Sequence, residues 1–298
     1  MKRGYVMARM ITESLQLLNH KDIPSDRLTF LVLGDSHVRT TGYDRVRNRY
    51  ILDTAGERYR RILQHMAMNY SSTASFIVHG GDTIGEGNKD ENMKAFAAVS
   101  KEVLFPANLP IFVSIGNHDM IWENGDLTTR IFEKYIGSVR QDIHIHGANV
   151  HLIRIPTYFP GLAGSPYFRP ADLAWLKQRT AASSHVLIDF HAVLRVGKNR
   201  SFPEGHYAVL STPETDAFFQ NINPSVKAIF NHHRHTSYEY TIETTLGGTS
   251  VQIPYLITGC GGNVTSRLDC PNYYAVTWNN LNTSNPAMSY TPVRVPGL

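Results

Sequence analysis

The sequence predicts an α/β protein. Short apolar runs rich in β-branched residues alternate with segments of helical periodicity through the first half, and strand-like runs crowd the tail. Several of these runs end in ligand-type side chains, often just past a glycine, which is where open α/β sheets keep their chemistry. The central example is Ile111-Phe112-Val113-Ser114-Ile115-Gly116-Asn117-His118-Asp119. It reads as a buried strand, a glycine turn of unusual φ, and then an amide, an imidazole and a carboxylate in succession.

Composition narrows the class. A chain of 298 residues has ample length for a core, and 42% hydrophobic with 18% charged residues excludes a disordered protein. The net charge of +4 is mild and its basic residues are spread out. That permits an anionic small-molecule substrate and offers no clear nucleic-acid surface. Fourteen histidines are many for this length and direct attention to metal ligands. Cys260 and Cys270 lack a C-x-x-C spacing; two free thiols is the preferred reading, a disulfide across the short loop the alternative. No run approaches the length of a membrane span. Lys2 and Arg3 are not followed by a continuous apolar stretch, because Glu13, Gln16 and His20 interrupt it. The default expectation is therefore a cytoplasmic protein, with an exported one whose leader has been trimmed as the alternative. Nothing in the sequence fixes the oligomeric state.

Residues 1–27 read as a helical lead-in, with Met7, Met10, Ile11, Leu15 and Leu18 at helical spacing. Leu28 to Leu33 is a strand that runs into Gly34-Asp35-Ser36-His37, and Asp35 and His37, two apart, can share one side of an extended segment. Arg45 to Tyr70 is expected to hold a helix with Ile51, Ala55, Tyr59, Ile62, Leu63 and Met66 inward; its arginines form a solvated face. Phe76-Ile77-Val78 is a short strand ending in His79-Gly80-Gly81-Asp82, with His79 read as packed and Asp82 as a delivered carboxylate. Asp90 is expected to cap the next helix, which places Met93, Phe96, Ala97 and Val103 inward.

Beyond Asp119, Asp126 is expected to cap a helix running to Ile136, where Gly137 stops it. Asn149 to Ile155 reads as a strand, with His144, His146 and His151 structural. The aromatic loop 157–169 has the character of a pocket lining, and its role stays open. Pro170 starts a helix, Val186 to Asp189 is a strand that delivers His191, and Ser211 to Glu214 starts another helix. Val226 to Phe230 is followed by Asn231-His232-His233-Arg234-His235. Runs at 238–242, 251–257 and 274–278 complete the strands, with Gly259, Gly261 and Gly262 turning between two of them. With no internal repeat and no linker, residues 28–298 read as one domain after the lead-in.

Five strand ends thus carry Asp35 and His37, Asp82, Asn117 and His118, His191, and His233 with His235. In this order they resemble the calcineurin-like metallophosphoesterase family, whose pattern is D-x-H, G-D, G-N-H-D/E, a lone H, and G-H-x-H. Two positions depart from it. His232 stands where the family usually has glycine, which would place a histidine at a costly positive φ and offers it as a competing ligand; the H-x-H spacing keeps His233 and His235. The lone His191 is followed by Ala192-Val193-Leu194 instead of proline or a second histidine.

The resemblance implies a four-layer αββα sandwich of two mixed sheets flanked by helices, with a metal site at the carboxyl ends of the strands. It implies two divalent ions, one held by Asp35, His37 and His235, the other by Asn117, His191 and His233. Two close cations repel and call for a bridging carboxylate, and Asp82 is the candidate. A hydroxide between the ions would attack phosphorus, His118 would protonate the leaving oxygen, and Asp119 would orient its ring. Oxygen and nitrogen ligands without thiolate suit Mn, Fe, Zn or Co. The implied activity is hydrolysis of phosphomonoesters or phosphodiesters. A pyrophosphate-bond hydrolase acting on nucleotides or nucleotide-linked lipids is the narrower alternative. A metal-binding scaffold without turnover is the other, and the presence of His118 argues against it.

Overall fold

The computed structural model describes residues 9–86, 89–123, 126–161, 164–261, 270–281, 283 and 287–298. The first half runs α1 (Met10–Asn19), β1 (Arg27–Leu33), β2 (Thr40–Asp44), β3 (Arg49–Leu52), α2 (Thr54–Tyr70), β4 (Ile77–His79), α3 (Asp90–Leu104), β5 (Ile111–Val113), β6 (Ile121–Glu123), β7 (Asp126–Thr128) and α4 (Arg130–Tyr135). The second half runs β8 (Gln141–Ile145), β9 (Val150–Arg154), α5 (Pro170–Ala181), β10 (Val186–Asp189), α6 (Thr212–Gln220), β11 (Val226–Asn231), β12 (Ser237–Leu246), β13 (Thr249–Thr258), β14 (Tyr273–Asn279) and β15 (Ala287–Val293). Met7 and Gly262 lie outside the described residues. No helix among the described residues is long and apolar enough to cross a membrane.

Two sheets form the middle of the molecule, one of five strands in the order β15-β14-β1-β4-β5, the other of six in the order β12-β13-β11-β10-β9-β8. Strands β1, β4 and β5 are parallel in the first, and β9, β10, β11 and β13 in the second. Strand alternation sorts the core into three layers. Leu31 and Leu33 face outward from the first sheet with Ile77, Ile111 and Val113, packing against Tyr59, Ile62, Met66 and Phe96 of α2 and α3. Phe30, Val32, Val78 and Phe112 face inward and meet Leu152, Leu187, Phe230 and Leu256 of the second sheet. The outer face of the second sheet, with Val186, Ile188, Ile229 and Tyr255, is covered by Leu173 and Leu176 of α5 and Phe218 of α6. This is the four-layer αββα sandwich, and all the parallel carboxyl ends open at one edge of it.

Several local expectations change. The helix expected within 45–70 runs from Thr54 to Tyr70, capped by Asp53, whose carboxylate accepts the Gly56 N–H, so Ile51 lies before it and not on its apolar face. Before it lies the β2–β3 hairpin. Asp44 Oδ1 accepts the N–H groups of Val46 and Arg47, and Asn48 takes a φ of +51°, so the chain turns back and Ile51 falls on β3 at 49% exposure. Arg60 is buried and not part of a solvated face. Asp90 is the first residue of α3, and its carboxylate takes Lys134 and Tyr135 instead of capping. Asp126 lies on β7, because Ile121 and Trp122 pair with Thr128 and Leu127 as a hairpin, and the helix is confined to α4. It does stop at Gly137, at φ +138°. Strands β8 and β15 were not expected. Cys260 and Cys270 form a disulfide, against the preferred reading of two thiols: the end of β13 and the start of β14 bring their Cα atoms to 6.2 Å.

Candidate metal centre

Every parallel strand that the motifs follow ends at the same place. Asp35, His37, Asp82, Asn117, His191 and His233 are buried there, and His235 stands beside them. The Asp82 carboxylate is central: its Oδ2 lies 3.3 Å from His191 Nε2, 3.6 Å from His37 Nε2 and 4.0 Å from His233 Nδ1. His37 Nε2 and His235 Nε2 face each other at 3.1 Å, and His235 Nε2 is 3.3 Å from Asp35 Oδ1. On the other side, His191 Nε2 is 3.0 Å from His233 Nδ1 and 3.1 Å from Asn117 Oδ1. Among the described residues, two sets of four side chains have the spacing to hold a cation. They are Asp35, His37, Asp82 and His235, and Asp35, Asp82, His191 and His233, so the two carboxylates are common to both.

The donor chemistry fits cations. Burial pulls His37 down to about 4 and His233 to about 3, which leaves neutral rings with an open lone pair. Burial opposes ionisation of Asp82 as well, but the neighbouring histidines, His191 first, hold its carboxyl well below the ordinary range. The buried Nε2 of His233 has no hydrogen-bond partner. Asn117 Oδ1 faces only acceptors; with the amide turned over, its NH2 would donate to His233 Nδ1 at 3.0 Å and His191 Nε2 at 3.1 Å. A cation among these groups satisfies the oxygen-inward orientation.

The backbone reaches this convergence at a cost. Asp35, His37, Asp82, His233 and His235 all have left-handed φ, between +46° and +69°, where each non-glycine residue loses about 1 kcal/mol or more. His232, expected to bear such a φ in place of the family's glycine, does not; the strain falls on His233 and His235. Gly116 is required for another reason than an unusual φ. Its φ is −105°, but a Cβ there would stand 2.2 Å from the Asp82 nitrogen.

His118 donates its backbone N–H to Asp82 Oδ1 at 2.9 Å, and its ring packs edge-on against His37 at 4.6 Å. The ring is oriented by the Gly85 carbonyl, 3.0 Å from Nδ1, and not by Asp119. The Asp119 carboxylate turns away: Oδ1 accepts from the Thr83 and Ile84 N–H groups and the Thr83 hydroxyl, Oδ2 from the Gly116 N–H. It ties the turn after β4 to the turn after β5.

His232 is not among the converging nitrogens. Its ring lies beneath the site, where Cβ atoms at Gly34 and Gly80 would come to 2.5 and 1.8 Å of it. Its Nδ1 is 2.6 Å from the Thr258 carbonyl and its Nε2 is 2.8 Å from Asp189 Oδ1. Asp189 Oδ2 in turn accepts from the Arg154 guanidinium at 2.8 and 3.1 Å and from the Ser114 hydroxyl. Arg154 also donates to the His79 carbonyl at 2.7 Å. Burial would raise the Asp189 carboxyl, but Arg154 and His232 hold it at about 2. This floor joins strand ends of both sheets, and sequence reasoning missed it. The available signal was a pair of opposite charges, Arg154 and Asp189, each closing an apolar run.

His79 is packed, as expected, with Nε2 3.0 Å from the Ser36 hydroxyl. His144, His146 and His151 cluster on the β8–β9 hairpin, where His151 meets Asp142 at 2.7 Å. The 157–169 loop contributes Phe159, whose ring lies 5.1 Å from that of His233. A cleft of about 330 Å³ opens over the centre, lined by Asp82, Asn117, His118, His233 and His235 and by Phe202, His206, Tyr207, Ala208 and Arg234. A larger one, about 460 Å³, lies at the far end of β1 around Lys21, Arg27 and Ser71 to Ser75, remote from this cluster.

An αββα sandwich with such a centre at its strand ends defines the metallophosphoesterases, hydrolases that cleave phosphoric esters with metal ions. The chain belongs to the calcineurin-like phosphoesterase family, whose model matches residues 28–237. Its fold is similar to that of a dimetal phosphatase from Danio rerio, at 13% identity and a TM-score of 0.57, covering 91% of this chain and 97% of that one. It is also similar to a purple acid phosphatase from yellow lupin (Lupinus luteus) seeds, at 12% identity and a TM-score of 0.56, covering 91% of this chain and 52% of the lupin chain. None of the curated proteins matches the chain.

Proposed function

We propose that the protein hydrolyses phosphomonoesters or phosphodiesters with two divalent metal ions, drawn from Mn, Fe, Zn or Co. Asp35, His37 and His235 would hold one ion, Asn117, His191 and His233 the other, and Asp82 would be shared between the two. The observation that carries this reading is the pair of four-residue groups that share Asp35 and Asp82. Ions bound there supply a water acidified for attack and positive charge against the phosphoryl oxygens. The chain's own residues do the rest. Asp82 balances charge between the two halves. His118, with Nδ1 set against the Gly85 carbonyl, keeps Nε2 as the nitrogen that delivers a proton to the leaving oxygen.

Residues 28–298 form one catalytic domain in this proposal. Its support is that β14 and β15, from the tail, complete the first sheet beside β1. The disulfide favours an oxidising compartment and so the exported alternative. The test is elemental analysis of protein loaded with Mn, followed by a screen of phosphate esters. Two ions per chain and turnover of at least one ester are expected. One ion or none overturns the binuclear assignment.

A further inference from the structure

The wall of the cleft facing the metal-ligand cluster is aromatic and held in place. Phe202, His206 and Tyr207 form a row, with ring centroids 4.6 Å apart for the first pair and 4.7 Å, nearly parallel, for the second. Tyr207 is 49% exposed, and its ring stands 5.9 Å from that of His233. The Arg234 guanidinium covers the Phe202 ring at 4.3 Å and donates to Asn199 Oδ1. Underneath, the buried Arg195 fixes the loop by donating to the carbonyls of Phe202, Pro203 and Leu210 at 2.6, 2.9 and 3.2 Å. Tyrosine joins a large apolar ring to a polar hydroxyl and suits a site where one end is apolar and the other wet. Here it borders a polar centre for phosphate, so its open face is available to the organic arm of the ester. Because its neighbours already fix the ring row, little freedom is lost when a flat group stacks on it.

We propose that the Phe202–His206–Tyr207 row is the specificity wall of the site, selecting phosphoric esters whose organic arm carries a planar aromatic ring close to phosphorus. This rests on the phosphohydrolase reading above. Tyr207 is the residue in contact with the arm; Phe202 and Arg195 act by positioning it.

The test uses non-hydrolysable phosphonates, which separate recognition from leaving-group reactivity. At a pH above both second ionisations, phenylphosphonate and cyclohexylphosphonate carry the same charge and similar apolar bulk but differ in planarity. Titrated calorimetrically into the Mn-loaded protein, phenylphosphonate is expected to bind about tenfold more tightly. The ratio should fall toward one in Tyr207→Ala and survive in Tyr207→Phe, which keeps the ring. Equal binding of the two phosphonates by the wild type overturns the proposal, as does a ratio that Tyr207→Ala leaves intact. If neither phosphonate nor inorganic phosphate binds, and no ester is hydrolysed, the phosphohydrolase reading fails and takes the wall with it. Binding of both phosphonates with equal strength sinks the wall alone.

Discussion

Single side chains at this centre separate into groups that meet the reaction and groups that hold the ground beneath it. In the proposed mechanism His118 belongs to the first kind. His118→Asn should slow alkyl phosphates by about 10²–10⁴-fold at unchanged metal content. Nitrophenyl phosphate should lose far less, because its leaving anion needs no proton. Rates on the two esters, with metal analysis alongside, check this; equal loss on both would make His118 a phosphate-binding group. Asp119→Asn should show no such leaving-group dependence, since the carboxylate touches loop amides and not the ring. It should instead lower unfolding stability by about 1–3 kcal/mol. His232 and His233 make the sharper contrast. His233→Ala removes a ring from the converging set and should weaken metal binding and turnover together. His232→Ala leaves Asp189 Oδ1 without its ring partner and should cost about 2–5 kcal/mol of stability, with a much smaller change in metal affinity. Calorimetric metal titration beside chemical denaturation tells the two apart. Equal damage to metal binding would place His232 among the ligands.

At the scale of elements, what the sequence made legible follows from how local each cause is. The strands carrying motif residues were readable because a buried parallel strand is a short apolar run, and each one delivered a ligand-type side chain at its end. The β2–β3 hairpin was not, because the segment also has helix-compatible spacing. Its turn depends on the Asp44 side chain and a left-handed Asn48, neither of which shows in apolar periodicity. Strand β8 escaped for a similar reason, being an edge that reveals itself only by pairing with β9. The metal-type residues were visible by type and order, whereas the role given to Asp119 failed because adjacency in sequence does not set where a carboxylate points. The Arg154–Asp189 floor joins residues 35 apart and needed the sheet order to be seen. The disulfide also needed it, since β13 and β14 sit in different sheets and only their ends approach. Protein prepared under non-reducing conditions should weigh two hydrogens less than its reduced form. Cys260→Ser should lower stability by about 2–3 kcal/mol.

For the whole molecule, the centre lies where two sheets meet, and its proposed ligands come from both. Asp35, His37, Asp82 and Asn117 follow strands of the first sheet; His191, His233 and His235 follow strands of the second. Cations bound between them would tie the halves together, and ligands that bind only the folded state stabilise it by mass action. Chelation should therefore lower the melting temperature, and adding Mn back should restore it. A melting temperature indifferent to chelator and metal would show that the folded protein has no strong site.

The imidazole of His232 also sets terms for its neighbours. A methyl group at residue 80 would stand 1.8 Å from its ring, and one at residue 34 would stand 2.5 Å away. Each would make its nearest contacts on that one side chain. While histidine occupies 232, a side chain at either position collides with it, so the order in which substitutions are made matters. Gly80→Ala should be ruinous to folding in the present chain and markedly milder when His232→Gly is made beforehand. One ring thus acts as a latch on two positions far away in sequence.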